Sequence, residues 1–82
     1  METKSTYVVI PKLNKILKEK GITQMQLAEM SGVSQGAISR FDRNKQHLDL
    51  HLVAISRALG LTIEDLFEIS EQLEIAIDDK FQ

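Results

Sequence analysis

The sequence predicts an all-α domain of five short helices, and two regularities carry that prediction. Good N-cap residues recur with one apolar residue just before them and another four positions after, the hydrophobic staple that fixes how a chain enters a helix. The four sets are Thr23 with Ile22 and Leu27, Ser34 with Val33 and Ile38, Asp49 with Leu48 and Val53, and Thr62 with Leu61 and Leu66. Stop signals follow at matching intervals: Gly21, Gly32, Asn44 and Gly60 are residue types that accept the left-handed conformation that ends a helix.

In chain order, residues 1–11 form an arm or short strand, because Tyr7, Val8, Val9 and Ile10 are aromatic or β-branched. Pro11 suits the first position of a helix over residues 12–20, where its missing N–H costs nothing. The second helix spans 24–31, opened by Thr23 with Gln26 completing a capping box. The third spans 35–43, the fourth 50–59, and a fifth begins at 63. Apolar residues at helical spacing give a core of Leu13, Ile16, Ile22, Leu27, Ala28, Val33, Ala37, Ile38, Phe41, Leu52, Ile55, Leu59, Ile63, Leu66 and Phe67.

The extension over residues 68–82 reads two ways. Residues 73–78 alternate like a strand, yet Ile63, Leu66, Ser70, Leu73 and Ile77 also lie along one helical stripe. Abundant Glu, Gln, Leu and Ala favour the helix. The apolar residues at both ends, Tyr7, Val8, Val9, Ile10, Ile69, Leu73, Ile75 and Ile77, exceed what the five-helix core absorbs. Such a surplus is expected to be buried, either between the two ends as a small sheet or in a dimer interface built on 68–82.

At 82 residues, 43% hydrophobic and 27% charged, the chain fits one modest globular domain. Cysteine is absent, so neither a disulfide framework nor a thiolate metal site is available. No apolar run approaches the ~20 residues of a membrane span, and the first residues lack the apolar stretch of a signal peptide. The expectation is a cytoplasmic protein without a membrane partner.

The net charge of −2 conceals a division along the chain. Residues 1–48 carry a net +4 and residues 49–82 a net −6. A basic half backed by an acidic one permits a phosphate-binding face without requiring it.

Between helices two and three only Ser31, Gly32 and Val33 are available, too short a connection for an antiparallel pair. The two helices therefore cross steeply, as a helix-turn-helix. Gln24, Ala28, Gly32 and Ile38 fall where this motif needs an opening polar residue, a small contact residue, a turn glycine and a core anchor. On these residues the chain resembles the phage lambda repressor and Cro (XRE) family over about residues 12–67. The resemblance implies a lambda-repressor-like DNA-binding domain, with 1–11 as an arm and 68–82 as an extension.

With Ala37, Ile38 and Phe41 facing inward on helix three, Gln35, Gly36, Ser39 and Arg43 turn outward and Arg40 lies on the flank. Gln pairs bidentately with adenine and Arg with guanine or phosphate, while Ser serves either and Gly36 lets backbone approach the groove. With Ser34, these are the candidate base contacts. The resemblance implies phosphate contacts at Thr23, Gln24, Asn44, Lys45 and Gln46, with Gln24 also bracing Gln35. The resemblance also sets His47, after Lys45 and Gln46, where relatives hold phosphate; Asn44 replaces the usual glycine after helix three, and the usual proline before helix four is missing.

No catalytic residue, cofactor or metal site is expected. His47 and His51 stand four apart without a third ligand and read as exposed histidines. The partners expected are an operator in double-stranded DNA and a second copy of the chain, with repression as the role. A rival reading is an antitoxin-type protein that binds a partner protein and regulates its own operon.

Overall fold

A computed structural model describes residues 2–76. It contains β1 (Glu2–Pro11), α1 (Leu13–Lys20), α2 (Gln24–Ser31), α3 (Gln35–Arg40), α4 (Asp49–Leu59) and β2 (Phe67–Ala76). Single 3-10 turns cover Phe41–Arg43 and Glu64–Leu66. Four helices are thus enclosed between two strands, which pair antiparallel from Glu2↔Ala76 to Pro11↔Phe67.

This corrects the all-α, five-helix expectation. The fifth helix stops after the turn at Glu64–Leu66, and the extension becomes β2 rather than a helix, as far as Ala76. The start signal at Thr62 is real: its hydroxyl accepts the Asp65 N–H at 3.2 Å and the Asp65 carboxylate accepts the Thr62 N–H at 2.9 Å. The Thr62 N–H bond to the carboxylate, first, and the Thr62 hydroxyl beside it hold the Asp65 carboxyl below its ordinary pKa. Tertiary packing then overrides helix propensity. Lys12 donates its N–H to the Leu66 carbonyl at 3.0 Å, and the Phe67 ring lies 5.8 Å from Phe41. Once Phe67 is held there, the chain runs alongside the β-branched residues of β1, which supply the hydrogen-bonding partner a tail helix would forgo. Ile77, Asp78 and Asp79, also weighed in the helix-or-strand reading, lie outside the described residues.

Smaller corrections share one cause, that flanking packing decides what a local signal becomes. Pro11 ends β1 instead of opening α1. Helix three stays α-helical only to Arg40 and tightens into the 3-10 turn. Asp49 is the first residue of α4, whose N-cap is Leu48 without a side-chain cap. Asn44 is extended at φ −90° and ψ 140°, so the chain leaves the third helix without a left-handed residue.

The core comprises Leu13, Ile16, Leu17, Leu27, Val33, Ile38, Phe41, Ile55, Leu59 and Leu66, with Ile22, Ala28, Ala37, Leu52 and Phe67 packed against it. Each full burial of such an aliphatic side chain stabilises the fold by roughly 1.5–3 kcal/mol. Leu17 joins the core although the expected set omitted it, and Ile63 is exposed because the helix that would have turned it inward does not form.

Candidate nucleic-acid interface

The α2–turn–α3 unit is built by caps at both ends. Thr23 Oγ1 accepts the Gln26 N–H at 3.0 Å and Gln26 Oε1 accepts the Thr23 N–H at 2.8 Å. At the far end Gly32 takes φ +77°, and its N–H returns to the Ala28 carbonyl at 2.9 Å. A side chain is strained in this backbone region, so glycine serves here through its positive φ. Ser31 stitches the turn, donating to the Leu27 carbonyl at 2.7 Å and accepting the Val33 N–H at 3.1 Å. Ser34 then caps α3 by accepting the Ala37 N–H at 3.2 Å. Buried Ile38 and Phe41 pin the result to the core.

The caps leave particular donors open. In α2, Thr23 satisfies Gln26 and Leu27; in α3, Ser34 satisfies Ala37 and Ile38. The first two N–H groups of each helix, at Gln24 and Met25 and at Gln35 and Gly36, have no intrahelical acceptor. Thr23's own N–H is occupied by Gln26.

Gln35, Ser39 and Arg40 are exposed on α3, and Gly36 is half-buried beneath Arg40. A Cβ built on Gly36 would lie 3.4 Å from Arg40 Nη1, so the guanidinium folds back along the helix over that glycine. Arg40 shares a cleft with Asn44, Gln46 and His51. Arg43 and Lys45 line a different cleft of about 520 Å³ between the 3-10 turn and β1, with Tyr7, Val9 and Phe67. The expected contact residues therefore divide between the α3 face and the floor of the ribbon. Among the described residues the single ion pair joins Lys12 to Glu68 at 3.3 Å. Arg40, Arg43 and Lys45 take no part in it.

Gln24 donates to Asn14 Oδ1 at 3.1 Å, an arrangement that braces it on α1 rather than on Gln35. His47 and His51 are half-buried, unlike the exposed histidines expected. The His47 Nε2 lies 2.7 Å from the Phe41 carbonyl oxygen, and the imidazole centroid lies 4.0 Å from the tilted Phe41 ring and 5.7 Å from the Phe67 ring, which it meets edge-on.

Asp42 has a role that the spacing did not reveal. Its two carboxylate oxygens accept the Leu13 N–H at 2.8 Å and the Asn14 N–H at 3.0 Å. The N-cap residue of α1 is Lys12, which supplies no side-chain acceptor, so the cap comes from the end of the third helix. The signal available in the sequence was negative, a helix start without an acceptor beside it. For Asn14 no comparable signal exists, since only packing brings α1 against the start of α2.

Among the described residues no helix is long and apolar enough to cross a membrane, and no group of three potential metal ligands occurs. Comparison with curated proteins and with solved structures returned no match. A family model for the Cro/C1-type HTH DNA-binding domain matches residues 12–72, from the residue after β1 to midway along β2. With a capped helix-turn-helix inside that span, the chain belongs to the Cro/C1-type helix-turn-helix family and is a DNA-binding regulator of that type.

Proposed function

We propose that the chain is a cytoplasmic transcriptional repressor that binds an inverted-repeat operator as a dimer, acting by occupancy rather than catalysis. One observation carries this reading: α3 presents Gln35, Ser39 and Arg40 outward from a unit fixed by caps at Thr23, Gly32 and Ser34. Side chains held on a rigid element read base edges with less ordering cost than side chains on a loop. In this reading α3 enters the major groove. Gln35 pairs with adenine, Arg40 and Arg43 with guanine or phosphate, and Ser34 and Ser39 supply further polar contacts, while Gly36 admits the backbone. Thr23, Gln24, Asn44, Lys45 and Gln46 hold phosphates, the open N–H groups at Gln24 and Met25 adding a donor pair.

Selection of bound sequences from a random DNA pool with the full chain tests this. The expected product is an inverted repeat whose half-sites lie about one helical turn apart, ~34 Å. Enrichment of an unrepeated site removes the dimer, and no enrichment at all removes sequence-specific repression.

A further inference from the structure

We infer that β1 is a self-association edge: it pairs antiparallel with β1 of a second copy, centred on Tyr7, to form a four-stranded sheet. This specifies the surface behind the dimer proposed above and rests on that reading. The family match covers residues 12–72 and so leaves β1 outside it.

The ribbon leaves an apolar surface uncovered: residues 5–10 and 68–73 are exposed throughout, although Tyr7, Val8, Val9, Ile10, Ile69 and Leu73 are large and apolar. An isolated two-stranded ribbon is marginal in water and gains from a third strand or a cover.

Charge selects the edge. Residues 5–11 carry none, whereas β2 carries Glu68 and Glu71 opposite that stretch. Natural edge strands are usually guarded by charges or bulges, and β1 is unguarded over this stretch. Pairing β2 with its own copy would bring carboxylates together, which like-charge cross-strand pairs disfavour.

Hydrogen-bonding parity selects the register. The bond from Lys12 N–H to the Leu66 carbonyl makes 12 and 66 a hydrogen-bonded pair. Such pairs alternate along antiparallel strands, so Ile10, Val8 and Thr6 point their backbone groups at β2 while Val9, Tyr7 and Ser5 point theirs outward. Pro11 falls in the outward set, where its missing N–H breaks no bond to β2. A two-fold axis at Tyr7 lays Val9 opposite Ser5 of the second copy, and the outward N–H groups at 5, 7 and 9 all find carbonyls. The same axis places like faces together. Residues paired across the ladder share a face, so Tyr7, Val9, Ile69 and Leu73 lie on one side of the sheet together with Ser5 and with Glu71, the ladder partner of Tyr7. The two helical domains then attach roughly eight positions apart along the sheet, about 26 Å.

The chain contains no cysteine, so a single introduced thiol reports pairing directly. Tyr7→Cys should oxidise to a covalent dimer at micromolar concentration about tenfold faster than Glu71→Cys, its cross-ladder neighbour on the other edge. Tyr7→Lys, which opposes two like charges on the axis, should weaken the dimer by at least about tenfold in sedimentation equilibrium, with unchanged helical circular dichroism. Sedimentation is measured without DNA, so this inference and the operator reading fail independently. A wild-type monomer at these concentrations overturns it, as does cross-linking confined to Glu71→Cys. So does a dimer that survives Tyr7→Lys and dissociates on Leu50→Asp, which would place the interface on the exposed apolar start of α4.

Discussion

Replacing Asp42 with alanine should destabilise the protein although the side chain belongs to neither the core nor the α3 face. The carboxylate accepts two N–H groups at the start of α1, at 2.8 and 3.0 Å. Loss of a helix cap costs about 0.5–2 kcal/mol, and a negative charge at a helix N-terminus contributes about 0.3–1 kcal/mol more. The bond to Leu13 is partly buried and the bond to Asn14 exposed, so the second is discounted for water taking its place. The expected loss is about 2 kcal/mol. At about 4–8 °C per kcal/mol for a domain of this size, Tm should fall by roughly 8–16 °C. Asp42→Asn keeps one acceptor oxygen and loses the charge, so it should fall about halfway between. Thermal and urea denaturation followed by circular dichroism measure both. A change below about 0.5 kcal/mol for Asp42→Ala would refute the claim that the third helix caps the first.

Gln35→Ala should cost ~1–3 kcal/mol on the selected operator and less on random DNA, because a base contact is lost; equal losses in titrations against both would reassign Gln35 to backbone contact. Lys45→Ala should weaken binding to every sequence alike and make the slope of log affinity against log salt shallower by about one unit. An unchanged slope takes Lys45 out of the interface. The Asp65 carboxyl, held low first by the Thr62 backbone N–H and then by its hydroxyl, stabilises the fold above the ordinary carboxylate pKa near ~3.9. That contribution should be lost as pH falls through the lower folded value. The stability difference between wild type and Asp65→Asn should be constant from about pH 5 to 8 and shrink toward zero in stronger acid, and a difference that persists there would count against the capping bonds as its source.

The helix-turn-helix was legible because its determinants are local. Thr23 reaches a backbone N–H three residues on, Gly32 answers a backbone angle at its own position, and Ile38 repeats at helical spacing within one short segment. Such features depend on neighbours within one or two turns, and sequence order places those neighbours. The basic first half and the polar face of α3 were readable for the same reason.

Only tertiary structure decided the rest, wherever a residue's partner lies far along the chain. The extension from residue 68 fits a helical stripe and, over 73–78, a strand alternation, and as far as Ala76 the choice fell to β1, whose partners are some 60 residues away. Asp42 looks like one acid among basic residues until folding sets it beneath α1, 28 and 29 residues upstream. Gln24 finds Asn14 across a helix junction, and His47 is half-buried against two phenylalanines that packing brings to it. Local sequence determined which segments could become helices and which face of α3 is polar. Where two local conformations were close in free energy, long-range hydrogen bonds and burial, present only in the assembled fold, determined the outcome.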